Sequence, residues 1–249
     1  MLPIFRSHYS IGSSILTLDP PEEEIKDNAP VSIFSIAKKH DIKDIFLCEK
    51  SMSGFVEAYK NSEKYEFNLH YGVELMCCRD ITDKSEESFK SEHKIQVWLK
   101  STESYSQFCK LITFANTDGF YYIPRIDEKN LEQLLDSNIN VTVPFYDCFV
   151  SKNLLTFGEC QFNYEKFNPT FFLENNGLPF DHIIAKGIQP FIHKFETIKA
   201  KTILYYKKQQ IAAFLALKCK CNRSTFDKPN FDHFSSDEFS FESYLESIQ

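Results

Sequence analysis

Glycine is scarce in this chain: 7 residues in 249, where an average protein has about 7%. Few glycines leave few loops in which bare backbone can approach a phosphate. No G-x-G-x-x-G and no G-x-x-x-x-G-K-[ST] occurs, which excludes the usual dinucleotide-binding and P-loop readings. A basic excess is lacking too. Lys and Arg number 28 against 35 Asp and Glu, a net charge of −7, so no nucleic-acid surface covers the whole protein. No uncharged apolar run reaches the length of a membrane span. Arg6 interrupts the first apolar residues, so no signal peptide is expected. The eight cysteines form no C-x-x-C; the pair Cys77-Cys78 and the C-x-C at Cys219 and Cys221 are poor zinc spacings. They read as reduced, packed thiols of a cytoplasmic protein. No G-x-S-x-G and no H-E-x-x-H is present.

Apolar residues are 43% and charged residues 25% of the chain, the composition of a globular protein. Phenylalanine is abundant, at 25 residues. Richness in Phe, Lys, Ile and Asn points to an AT-rich genome such as that of a virus or parasite-like element.

Hydrophobic patterning predicts strands at Leu2 to Phe5, Asp44 to Cys48, Leu69 to Cys77, Ile95 to Leu99, Val141 to Val143, Thr170 to Leu173 and Thr202 to Tyr205. Helices are predicted from an Asn28-Ala29-Pro30 start, and at Gly54 to Lys60, along the Tyr105, Phe108, Leu111, Ile112, Ala115 stripe, and around Leu131 to Leu135. Two more are predicted at Asp181 to Phe195, ended or kinked by Pro190, and at Gln209 to Leu217. The acidic stretches around Asp19 to Glu24 and Asp80 to Glu92 read as loops. Strands alternating with helices predict a parallel α/β fold. The domain is expected to span 1–221, with a peripheral tail over 222–249.

Several segments carry a family resemblance in chain order. Ser7-His8-Tyr9-Ser10, Gly54-Phe55-Val56-Glu57-Ala58-Tyr59 and Gly72-Val73-Glu74-Leu75 are short matches. Gly119-Phe120-Tyr121-Tyr122-Ile123-Pro124-Arg125-Ile126-Asp127 is the longest. Phe172-Leu173-Glu174-Asn175-Asn176-Gly177-Leu178-Pro179 and Asp237-Glu238-Phe239 follow. Together they resemble the PHP (polymerase and histidinol phosphatase) domain at the front of the bacterial DNA polymerase III alpha subunit. The resemblance implies a distorted (β/α)7 barrel, free-standing because the polymerase part is missing.

Active members of that family hold two or three metals with about nine His, Asp, Glu and Cys ligands, which activate water and clamp phosphate oxygens. On this sequence the opening H-x-H falls on Ile4 and Arg6, and the following Asp near Ser13. The T-D-H falls on Cys48-Glu49-Lys50, so its His is Lys50; the closing D-x-H falls on Thr202-Ile203-Leu204, so its His is Leu204. Glu74 survives, His93 lies within one residue of a ligand position and Cys148 within about two of another. Ile and Leu donate nothing, and Arg and Lys bring positive charge where a cation should sit. The resemblance thus implies a metal centre that is lost, with no cofactor. Arg6 or Lys50 is expected to pair with Glu74, the alternative being an exposed Glu74 in an open cleft.

Other candidates carry less. Tyr121, Tyr122 and Arg125 form an aromatic-basic cluster that could stack on bases or serve the framework. Lys199, Lys201, Lys207 and Lys208 read as a solvated helix face, or as a contact for phosphate or an acidic protein. Phe231, Phe234, Phe239 and Phe241, set among acids, either fold back over the barrel or dock on a partner. The expected function is a non-catalytic, protein-binding module of DNA replication. Its expected partner is a polymerase, a proofreading exonuclease or a clamp; no membrane is involved, and direct nucleic-acid binding stays open. The alternatives are a phosphoesterase or nuclease with a site rebuilt from Glu49, Glu74 and His93, or a structural component of an assembly.

Overall fold

The computed structural model describes residues 1–25, 29–225 and 236–248. Eight strands are named: β1 Leu2–Phe5, β2 Asp44–Glu49, β3 Asn68–Cys78, β4 His93–Leu99, β5 Arg125–Asp127, β6 Ile139–Val143, β7 Thr170–Leu173 and β8 Thr197–Ile203. They pair in the order β2-β1-β8-β7-β6-β4-β3-β5, with β2 also paired to β3. That order is a ring of seven strands with β5 beside β3, the mixed α/β barrel that the resemblance implied. Most pairs are parallel, but β4 runs antiparallel to both β3 and β6. The expected parallel arrangement thus holds for most pairs, and β4 is the exception. A parallel neighbour needs a crossover of a dozen or more residues, and no helix long enough stands between β3 and β4.

The residues group into two compact units. One holds 1–71, 174–179 and 200–249; the other holds 72–173 and 180–199. In the first, β1 pairs with β2 and with the last residues of β8, and Ile4 lies between Phe46 and Thr202. Ile4, Phe5, Ile45 and Leu47 are buried. Helix α1, Ile33–Lys39, is capped by Ser32, whose Oγ accepts from the Phe34 N–H. The expected start at Asn28 to Pro30 is therefore corrected to Ser32; Asn28 itself lies outside the described residues. Helix α2, Phe55–Tyr65, runs longer than expected and ends on Glu66 in the left-handed region.

In the second unit, β3 and β4 form the longest ladder, with Gly72 opposite Trp98 and Glu74 opposite Gln96. Helix α3, Tyr105–Asn116, buries Phe108, Leu111, Ile112 and Ala115, the face its periodicity predicts. It is followed by α4, Glu128–Leu134, α5, Phe149–Leu155, and the single turn α6, Tyr164–Phe167. Helix α7, Asp181–Ile192, contains Pro190 and stops two residues after it. Proline in the last turn removes one hydrogen bond where few remain to be lost.

The acidic stretch at 80–92 contains a 3-10 turn, Glu86–Ser91. In the first unit α8, Ile211–Asn222, and α9, Phe241–Ile248, complete the described chain. No helix among the described residues is long and apolar enough to cross a membrane.

Candidate functional site

In the first unit, the end of β2 carries Glu49, which is almost fully buried. Its Oε1 accepts the Ser7 N–H at 2.8 Å, and its Oε2 accepts the Ser10 hydroxyl. Ser10 Oγ in turn accepts the Lys50 N–H at 2.9 Å. Burial raises the Glu49 carboxyl above its ordinary range, while the two serines and the charge of Arg6 act in the other direction. Arg6 Nε donates to the Cys48 carbonyl at 3.3 Å. The S-x-Y-S segment therefore serves as a hydroxyl and amide cradle for a carboxylate.

Across β1, Ile4 and Leu204 are buried core residues. Thr202, beside Ile4, gives its N–H and its hydroxyl to Glu174 at 2.9 and 2.8 Å, and Asn176 Nδ2 donates to the same carboxylate. Ser13 lies in the turn after β1, its N–H donating to the Ser10 carbonyl at 2.9 Å.

In the second unit, Glu74 on β3 lies 3.3 Å from Lys94 Nζ, and the same Nζ lies 2.9 Å from Asp147 Oδ2. Lys94 is a cation that the sequence reading did not nominate. Glu74 faces Gln96, so Lys94, two residues along the same strand face, is its diagonal neighbour. Next to it His93 is fully buried. Its Nδ1 is 3.3 Å from the Ser91 carbonyl, its Nε2 has no hydrogen-bond partner, and its ring packs against Phe149 and Phe162. Burial drives its pKa down to about 4.

The cysteines are closed off as well. Burial pushes Cys77 well above the ordinary thiol range and Cys78 to about 12, and it raises Cys148. Thiols held protonated in this way are poor nucleophiles and poor metal ligands.

These residues do not fit the two- or three-metal cluster of the family. Ile4 and Leu204 are apolar, Glu49 is filled by serine donors, Glu74 holds an ammonium, and His93 sits in an aromatic box. Among the described residues no three His, Cys, Asp or Glu side chains converge as a metal site would require.

The longest motif proves to be framework. Arg125 has no exposed surface. Its guanidinium donates to Glu92 at 3.1 Å and to the carbonyls of Ile81, Asp83 and Gly119 at 3.0, 3.3 and 3.4 Å. Gly119 is required because a Cβ there would lie 2.1 Å from the Arg125 carbonyl oxygen. The Tyr121 ring lies 5.0 Å from the Arg125 guanidinium and 5.9 Å from Lys84 Nζ, whereas Tyr122 is 75% exposed at a φ of 59°.

The lysines are corrected: Lys199 and Lys201 lie on β8, not on a helix face. Lys201 is buried and pairs with Glu238 at 2.9 Å, and Lys208 pairs with Glu238 and Glu246. The acidic contact for these lysines is thus the chain's own C-terminal segment. Phe239 and Phe241 follow the first of the two alternatives and fold back: both are buried, Phe241 stacking on Phe5 and Tyr206 and packing against His40. Phe231 and Phe234 lie outside the described residues.

The mixed α/β barrel defines a class, and comparison with known proteins gives the same one. The PHP domain pattern matches residues 27–155, just over half of the chain. The chain belongs to the PHP domain family. It is similar to the DNA polymerase III subunit alpha of Chlamydia trachomatis, 32% identical over 85 residues, and of Chlamydia muridarum, 34% over 89. These matches cover 33% of the chain and 7% of each relative. The same subunit of Borreliella burgdorferi is 28% identical over 104 residues, 41% of the chain and 9% of the relative. The matched region thus spans less than a tenth of the length of these relatives.

Proposed function

We propose that this protein is a non-catalytic PHP module that acts in DNA replication, in the cytoplasm, by binding another protein. The observation that carries the reading is the state of the inner positions. Five of them carry Ile4, Arg6, Ser13, Lys50 and Leu204, and the surviving Glu74 is held by Lys94. A phosphoesterase of this family needs metals to activate water and clamp phosphate, and among the described residues no three His, Cys, Asp or Glu side chains group to hold one. What such a chain retains is a surface. Similarity to a replicative polymerase subunit makes the polymerase, its proofreading exonuclease or its clamp the candidate partners, whether the module assists them or competes for them.

Co-purification from the native cell, read by mass spectrometry, tests the partner. Recovery of one of those three proteins in stoichiometric amount supports the reading. Metal-dependent hydrolysis of phosphoesters or DNA ends, lost in Glu74→Gln, overturns it and favours a rebuilt site of Glu49, Glu74 and His93. Recovery only within a large particle would favour a structural component instead.

A further inference from the structure

We propose that the aromatic cluster of Phe89, Tyr121 and Tyr122 is the docking site for an arginine- or lysine-bearing segment of a protein partner. The inference rests on the reading of a protein-binding module and names the surface and the chemistry that such a partner meets.

The three rings form one cluster in the second unit. Phe89 stacks on Tyr121 with centroids 5.9 Å apart, Tyr121 meets Tyr122 edge-on at 4.6 Å, and Phe89 lies 6.4 Å from Tyr122. Phe89, Tyr122 and the neighbouring Phe120 are exposed. Large apolar groups gathered at a surface, rather than scattered singly, mark an interaction site. Tyr122 is also held in place. It is a bulky residue in the left-handed region, at a φ of 59°, a conformation that persists where the surroundings impose it. The Tyr121 N–H donates to the Ile123 carbonyl at 3.1 Å across it, and the Tyr121 hydroxyl donates to the Lys84 carbonyl at 2.8 Å. A strained backbone thus keeps an aromatic ring out in water.

The chemistry of the cluster selects a cation. The faces of aromatic rings attract ammonium and guanidinium groups, and Tyr121 already lies near two of them, Arg125 and Lys84. The surrounding charge has the same preference. In the 3-10 turn Glu86–Ser91 residues three apart eclipse, which sets Glu86 on the side of Phe89. The exposed charges of 79–90 and 118 are Asp80, Asp83, Glu86, Glu87 and Asp118 against Arg79, Lys84 and Lys90, an acidic excess. Arg125, the cation that could have met a phosphate, is buried on Glu92. Bases stacked here would bring their phosphates against the acids, whereas a basic peptide meets rings and acids together.

The test is fluorescence anisotropy of the full chain with a labelled peptide of Arg-Gly-Gly repeats. A second peptide carries citrulline, which keeps the shape of arginine without its charge, and a labelled oligothymidylate is the third probe. Wild type is expected to bind the arginine peptide saturably, and the citrulline peptide roughly five- to thirty-fold more weakly. Tyr122→Asn removes the ring and tolerates the left-handed region, and it is expected to lose a similar factor for the arginine peptide. Tyr122→Phe is expected to keep the affinity. Should Tyr122→Asn melt below wild type, Glu86→Lys decides, and it must weaken the arginine peptide. Equal binding of the two peptides, no binding of the arginine peptide, or wild-type affinity in Tyr122→Asn overturns the inference. So does binding of oligothymidylate that Tyr122→Asn abolishes, which would make the cluster a base-stacking surface. These results leave the protein-binding reading intact while a partner still co-purifies; a co-purification that recovers none undoes that reading whatever the peptides do.

Discussion

Lys94 and Asp147 are joined twice. The Lys94 N–H meets the Asp147 carbonyl at 2.8 Å, and Lys94 Nζ meets Asp147 Oδ2 at 2.9 Å. With Glu74 on the same Nζ, a single lysine ties β3 and β4 to the segment that follows β6. An ionic clamp of this kind needs no cofactor supply.

Arg125 should be the most sensitive framework residue. Replacing it by Met leaves the buried Glu92 carboxylate and three carbonyls without their donor, at a cost of about 3–5 kcal/mol. Burial already raises the Glu92 pKa, so the loss should shrink in mild acid, where that carboxyl takes up a proton. Urea unfolding at neutral and at mildly acidic pH measures both effects. Equal loss at the two pH values would show that Glu92 is not the group left stranded.

His93 makes the fold acid-sensitive. Its pKa is about 4 in the folded chain and about 6.5 in the unfolded one. Below about 6.5 the unfolded chain takes up a proton that the folded chain refuses, so stability falls with pH until about 4 and then levels off. Near pH 5 this amounts to roughly 1–2 kcal/mol. His93→Phe should raise Tm at pH 5 more than at pH 8. An equal shift at both would place the acid sensitivity elsewhere.

Glu238 works over a lower range. Burial opposes its charge, but Ser243, Lys201 and Lys208 outweigh that and bring its pKa down to about 2. A depressed carboxyl stabilises above its unfolded pKa and loses that contribution as pH falls through the folded one. The segment at 236–248 should therefore loosen between about pH 4.5 and 2. Faster hydrogen exchange in α9 at pH 3 than at pH 6, after correction for intrinsic rates, is the expected result. Glu238→Gln should give the fast exchange at both.

Gly72 is fixed by the indole opposite it. A Cβ at Gly72 would meet the Trp98 ring at 2.6 Å, and Trp98 is held by its Nε1 donating to Thr142 at 2.9 Å. Gly72→Ala should cost about 1–3 kcal/mol through overpacking. As the chain has one tryptophan, a shifted fluorescence maximum reports the displaced ring, and an unchanged spectrum would show that the backbone yields instead.

Long periodic elements were legible in the sequence: the α3 stripe and the runs at β2, β3 and β4 carry their own signal. The three-residue strand β5 and the single turn α6 are too short to show a period. Helix α9 was missed although Phe241, Tyr244, Leu245 and Ile248 stand at helical spacing, because Phe239 and the acids around it mask the pattern. The family's motifs were readable from their order along the chain. Lys94 was not, because a lysine on an alternating strand looks solvated until the register of β3 and β4 places Glu74 beside it. Nor was the Ser7 and Ser10 cradle of Glu49, which depends on how the turn after β1 folds back on β2.

Elemental analysis of the protein, purified from its native cell without chelator, tests the central claim most directly. The account predicts substoichiometric Mn, Fe, Zn and Mg, together with no hydrolysis of phosphoesters or DNA ends on adding these ions. One or more tightly held metals per chain, lost in Glu74→Gln, would contradict it.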